Sequence, residues 1–108
     1  NGVWSQQGKV TAADGAEGDQ FGYSVSLSGD NLGVGAYGDD DNGESSGSAY
    51  LFTRNNGVWS QQSKLTADDG AAIDQFGISI SISGDSLAVA ANGDDDNGNA
   101  SGSAYVFD

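Results

Sequence analysis

The sequence predicts an all-β β-propeller with two four-stranded blades per chain, its ring closed by homo-oligomerisation with strands shared between chains. Three observations predict it. The chain of 108 residues repeats with a period of 55: pairing residue i with i+55 gives 37 identities in 53 pairs without a gap. A fixed period of that length, holding several strand signals, points to propeller blades or a solenoid. Each unit also contains a strict alternation, Tyr23-Ser24-Val25-Ser26-Leu27-Ser28 and Ile78-Ser79-Ile80-Ser81-Ile82-Ser83, followed by Gly-Asp. Side chains alternate across a strand, so this is a strand with one apolar and one small polar face, ending in a tight reversal. Finally, the units are out of phase with the sheets they imply, because the chain opens on the last strand of a blade and closes on a third strand.

Taken in order, residues 3–11 are predicted to be an outer strand. Residues 22–28 form the first strand of a blade, with Tyr23, Val25 and Leu27 on one face and Ser24, Ser26 and Ser28 on the other. Residues 31–36 form the second, with Leu32, Val34 and Ala36 opposed to Gly33 and Gly35. Both faces of this pair are apolar or small, so both are expected to be covered. Residues 48–53, carrying Tyr50 and Phe52, form the third strand. Residues 58–66 form the fourth, where Trp59 and Leu65 share a parity and Ser60, Gln61, Gln62, Ser63 and Lys64 supply the polarity of an outer edge. Gly29-Asp30 and Asn55-Asn56-Gly57 are hairpin turns. The other two connections are long and acidic, and in a meander they share one end of the blade.

This divides the chain into residues 1–20, an outer strand and linker completing a blade of a neighbouring chain; residues 21–66, the first blade; and residues 67–108, a second blade with three strands of its own. Two blades cannot close a ring, and a lone chain would expose large apolar faces. A head-to-tail contact that repeats closes a cyclic homo-oligomer. Propellers have about 4 to 8 blades. Four chains giving eight blades is the first choice and three giving six the second.

Composition narrows the function. There is no Cys, His, Met or Pro, which excludes disulfides, thiolate or imidazole metal sites and the usual nucleophile–base pairs. A net charge of −13, from 16 acids against Lys9, Arg54 and Lys64, repels nucleic acid and anionic membranes. No apolar run approaches the roughly 20 residues of a membrane span, so no membrane insertion is expected. The chain opens at Asn1 and reads as a soluble fragment, natural or designed. The near-identity of the two units fits either a recent duplication or deliberate design. An enzyme would have to work with acid pairs alone. Acids repeated in every unit argue for structure instead, and a non-enzymatic module is expected.

Phe21-Gly22-Tyr23-Ser24-Val25-Ser26, Leu32-Gly33-Val34-Gly35-Ala36 and Gly47-Ser48-Ala49-Tyr50-Leu51-Phe52 together resemble an FG-GAP repeat, as found in the propeller of integrin α-chains and in bacterial surface proteins. Trp59-Ser60-Gln61-Gln62-Ser63-Lys64-Leu65-Thr66-Ala67 is similar to the outer strand of the bacterial form. The resemblance covers almost the whole chain, twice. It implies one blade per repeat, an extracellular or cell-surface parent, and a binding or adhesion role. Many integrin-type blades carry a calcium loop between the first and second strands. Here that junction is only Ser28-Gly29-Asp30-Asn31, so that site is not carried over.

The sharpest chemical candidates are Asp39, Asp40, Asp41 and Asn42, with their counterparts Asp94, Asp95, Asp96 and Asn97. Clustered carboxylates suit a hard cation, and calcium is the one cofactor they suggest, for a lectin- or adhesin-like ligand site. The competing reading is a solvated turn whose Asp and Asn satisfy local backbone donors. An EF-hand register fails, since Gly38 and Ala49 fall where acids belong. Asp14, Asp19, Asp69 and Asp74 share that end and are candidates for further ligands, although Asp19 and Asp74 read better as turn caps. Trp4 and Trp59 are expected to pack between blades rather than stack on a sugar. Phe21 and Phe76 are expected as core wedges. The sequon Asn99-Ala100-Ser101 has no counterpart in the first unit and is read as chance.

Overall fold

The computed structural model of the protein describes residues 2–39, 46–67, 70, 74–93 and 102–108. The described residues form seven strands in two antiparallel meanders. The first sheet runs in the order β1 (Ser24–Ser28), β2 (Asn31–Ala36), β3 (Ser48–Asn55) and β4 (Val58–Leu65); the second holds β5 (Phe76–Ser83), β6 (Ser86–Ala91) and β7 (Ser103–Phe107). Gly29 has φ +56° and opens the two-residue β1–β2 turn, as a type II′ hairpin requires. Asn56 and Gly57 have φ +54° and +81°, the pair of left-handed residues of a type I′ turn. The Arg54 N–H donates to Asp30 O at 2.8 Å, so both tight turns lie at one end of the sheet. The stem of the β2–β3 loop is closed at the other end, where the Gly47 N–H donates to Asp39 O at 2.9 Å.

Simple alternation breaks in three places. Left-handed backbone at Gln20 (φ +61°) and Gly22 (φ +93°) precedes β1, which begins at Ser24 rather than residue 22. The same pair at Gln75 (φ +61°) and Gly77 (φ +96°) flanks Phe76 at the start of β5, where the register with β6 slips between Phe76 and Ser79. In β4 the register shifts: Leu51 faces Ser63 while Phe52 faces Gln61. One residue, Gln62, is extra, which is a β-bulge. The expected common face of Trp59 and Leu65 is therefore wrong. Trp59 lies opposite Arg54 and packs with Val34, Tyr50 and Phe52, whereas Leu65 lies opposite Ala49 and packs with the other cluster.

The two sheets meet through unlike faces. The small face of the first sheet, bearing Ser24, Ser26, Gly33 and Gly35, receives the apolar face of the second. Phe76, Leu87, Val89 and Ala91 are buried there with Ala49, and Ile80, Ile82, Tyr105 and Phe107 pack around them. Glycine is required for this approach: a Cβ on Gly35 would lie 2.0 Å from Gly77 O. The serine hydroxyls are placed to bond the facing edge. Ser24 Oγ donates to Gly77 O (2.9 Å), and Ser26 and Ser28 Oγ accept from the Ile82 and Gly84 N–H groups (3.0 and 3.2 Å).

Among the described residues, only one face of β1 is thus covered. Tyr23, Val25 and Leu27 are 58, 61 and 62% exposed. The small face of the second sheet is open as well: Ser79, Ser81, Ser83, Ala88 and Ala104 are exposed, and so is Val106. Residues 3–11 form no strand in the single chain. Val10 and Ala12 pack on the Val34–Tyr50–Phe52 face of the first sheet. That is the face turned away from the second sheet, whose β7 has no fourth strand beside it among the described residues.

Candidate functional site

The chemistry-bearing residues that the fold brings together lie at the stem of the acidic loop. Alternation puts Tyr50 of β3 and Lys64 of β4 on one face, directly opposite each other. Asp39 follows the end of β2, and Asp14 arrives from the N-terminal segment. The Lys64 ammonium binds Asp39 Oδ2 at 2.7 Å and also pairs with Asp14 Oδ2. Ser48 Oγ donates to Asp39 Oδ2 at 2.6 Å, and the Tyr50 hydroxyl donates to Asp14 Oδ1 at 2.9 Å. The ammonium also stands 5.5 Å from the centre of the Tyr50 ring.

Burial makes these contacts count. The Asp39 side chain is 6% exposed and that of Lys64 is 18% exposed. A buried carboxylate without its cation is costly, whereas a pair with hydrogen-bonded oxygens is tolerated. The hydrogen bond from Lys64, then that from Tyr50, holds the Asp14 carboxyl below its ordinary value of 3.8. Burial, reinforced by the bond to Asp14, pushes the Tyr50 phenol well above its ordinary value of 10.0. Tyr50 is therefore a neutral donor and Lys64 the charge that offsets two carboxylates. The arrangement ties four chain segments together and fixes the base of the acidic loop.

The structure sorts the sequence candidates. Asp39 is held by Lys64 and Ser48. Asp40, Asp41, Asn42, Asp94, Asp95, Asp96, Asn97, Asp69 and the Asn99 sequon lie outside the described residues. Among the described residues, no group of three or more acids is placed to hold a metal ion. Asp14 pairs with Lys64. Asp19 Oδ2 accepts from the Ala16 N–H at 3.0 Å, the turn cap expected of it. Buried Asp74 holds the corresponding backbone place, its carbonyl accepting from the Gly93 N–H as that of Asp19 does from Gly38. The β1–β2 junction does not fit the integrin-type calcium loop. It is a two-residue turn, and Asp30 pairs with Arg54 at 2.8 Å.

The aromatic expectations divide. Phe76 is buried, edge-on to Tyr105 and Phe107 with centroids 5.4 and 6.0 Å away, and Phe21 repeats this with Tyr50 and Phe52. Trp59 packs on the first core with the Arg54 guanidinium 5.0 Å over its ring. Trp4, its counterpart, is 98% exposed. Sequence reading missed the role of Lys64, taken for an edge charge. The signal was present: Lys9/Lys64, Asp14/Asp69, Asp39/Asp94 and Tyr50/Tyr105 are each unchanged between the two units.

A family model described as FG-GAP repeat matches residues 4–52 and again 59–107. Each matched unit starts at a tryptophan, Trp4 or Trp59, and ends at the last aromatic of a third strand, Phe52 or Phe107. The second unit contains β4, which pairs in the first sheet. The repeat in sequence is thus offset by one strand from the sheet in space. No curated protein matches the chain.

Proposed function

The chain belongs to the FG-GAP repeat family, in general a structural and binding module of the propeller type rather than a catalytic one, and on that premise we propose that it is a two-blade fragment that closes a propeller by assembling with copies of itself. The observation that carries this reading is the recurrence of the internal joint as two unmatched faces. Tyr23, Val25 and Leu27 correspond to Ile78, Ile80 and Ile82, of which Ile80 and Ile82 pack in the core between the sheets. Ser79, Ser81 and Ser83 correspond to the serines that receive them. The exposed face at each end therefore has the chemistry of one half of a joint already made once within the chain. In a second copy, Ser81 Oγ would accept from the Leu27 N–H, as Ser26 does from Ile82.

The repetition is imperfect in an instructive way. Ala88 stands where Gly33 stands, and a Cβ on Gly33 would lie 3.1 Å from Ile80 Cδ1. Val25 replaces that isoleucine and lacks the atom concerned, so one methyl has moved across the joint. Ala90 replaces Gly35, where a Cβ would lie 2.0 Å from Gly77 O. The joint between copies is accordingly wider at that end, and the bond made by Ser24 has no counterpart through Ser79.

The phase of the repeats supports strand sharing. β4 opens the second unit and completes the preceding sheet, and residues 3–11 open the first unit in the same way. The preceding sheet then belongs to another chain. Four chains with eight blades is the preferred closure, and three with six the alternative. Deleting residues 1–12 tests this. Assembly is expected to be lost while each chain keeps its strands, and a truncated protein of unchanged native mass would contradict the proposal.

A second reading, ligand binding on the acidic-loop end in the manner of a calcium-assisted lectin or adhesin of a cell-surface parent, is supported by the net charge of −13 and the acid runs. Since Asp39 is held by Lys64, a cation there would fall to Asp40, Asp41 and Asn42. A glycan array read with and without chelator tests it, and equal binding to none of the sugars would dismiss it.

A further inference from the structure

Between the two sheets, at the tight-turn end, lies a cleft of about 540 Å³ walled by Leu51 and Leu65 of the first sheet and Ile82, Leu87 and Phe107 of the second. We infer that this cleft is the seat of Trp4 from a second copy of the chain. The inference rests on the assembly proposed above and adds to it a residue, a site and an orientation.

Trp59, on β4, covers the cluster of Val34, Ala36, Tyr50 and Phe52. The counterparts of these residues in the second unit are Val89, Ala91, Tyr105 and Phe107. Phe107 is a wall of the cleft, and Val89 and Ala91 are buried in the core behind it. Among the described residues, the second sheet has no strand that would carry the tryptophan. Trp4 is that residue by position in the repeat, and it is 98% exposed in the single chain. An exposed indole and an open apolar cleft on the same molecule are a donor and an acceptor site.

The occupant must come from another chain. Val10 and Ala12 lie on the apolar face of the first sheet, as their counterparts Leu65 and Ala67 lie against the core of the second. The N-terminal segment therefore reaches its sheet as β4 reaches the next one. Followed backwards, β4 leads into the preceding sheet; residues 2–9 are exposed and stay on the free face of the first sheet, where Gly8 reaches the Trp59 ring. The cleft is on the opposite face of that sheet. A chain cannot fill its own cleft while Val10 and Ala12 hold their places, whereas a neighbour in head-to-tail register presents Trp4 to it.

The position within the cleft follows from the same correspondence. Trp59 sits beside the Arg54–Asp30 pair at the tight turns. Asp30 corresponds to Asp85, which lines the cleft. Trp4 of the partner is therefore placed next to Asp85.

The test uses the full chain with Trp59→Phe, which leaves Trp4 as the only indole. Its emission maximum and acrylamide quenching are read across a dilution series alongside native mass. The expected result is a shift to shorter wavelength and a loss of quenching that track assembly. A nitroxide on Asp85→Cys, a unique thiol in a chain without cysteine, is expected to quench Trp4 in the assembled state alone. An assembled protein whose Trp4 is as accessible as in the denatured chain would overturn this inference and leave the assembly standing. A protein that never assembles would overturn both. Trp4 shielded equally at every dilution, in a single chain, would overturn the assignment to a second copy.

Discussion

Replacing Lys64 with methionine keeps the length of the side chain and removes its charge. The Asp39 carboxylate would then stay in a site where its side chain is 6% exposed, with Ser48 still donating at 2.6 Å but no cation. Removing one partner of a buried pair costs about 3–5 kcal/mol. Lys64 keeps 18% of its side chain in solvent and the Ser48 bond remains, so the lower end, about 3 kcal/mol, applies. Asp14 is half exposed and adds little through its own pair. Against a total of about 5–15 kcal/mol for a domain, this is a large share. With a urea m-value of about 1–3 kcal/mol/M, the unfolding midpoint falls by roughly 1–3 M. The comparison is made at fixed protein concentration, because any association shifts apparent stability by mass action. The second arm is Lys64→Met with Asp39→Asn, which removes the uncompensated charge and is expected to recover a good part of the loss. A single-variant loss within about 0.5 kcal/mol, the range of ordinary surface substitutions, would refute the reading of Lys64 as the anchor of the loop stem. So would a double variant no better than the single.

Other consequences follow from the same geometry. The Asp14 carboxyl is held below its ordinary value of 3.8 by Lys64 and then Tyr50, so its contribution is complete above that value and is lost as pH falls through the lowered one; acid titration of stability should show this limb in the parent and a smaller one in Lys64→Met, where the Tyr50 bond remains. Gly35→Ala places a methyl 2.0 Å from Gly77 O and 2.3 Å from Ser24 Oγ, and thermal melting should report a loss of about 1–3 kcal/mol, as for overpacked cores. If the acidic loops bind calcium, millimolar calcium should raise the melting temperature more than sodium of equal ionic strength; equal effects would leave the loops as solvated turns.

Much of the fold was legible because the repeat reports it twice. The Ser alternation of β1 and β5, the Gly-Asp and Asn-Gly turns and the third strands follow from period and turn chemistry alone. The bulge at Gln62 was not legible: Ser60-Gln61-Gln62-Ser63 has no apolar side chain to mark where the register slips, and one extra residue moved Leu65 to the opposite face from Trp59. The charge cluster was hidden for another reason. Asp14 and Lys64 are 50 residues apart, and their meeting depends on which face of the sheet the N-terminal segment crosses. What could be read was the chemistry of the small face. Serine and glycine opposite a row of isoleucines predict close sheet contact, and Ser26 and Ser28 make it with hydroxyls that accept backbone N–H groups.

On the proposed assembly, a chain whose described residues form one sheet of four strands and one of three completes itself from identical neighbours. Native mass in dilute neutral buffer measures this directly. The expected result is a discrete closed species of four chains, or three, each of 10.9 kDa. A cooperatively folded species of a single chain, unchanged on concentration, would contradict it.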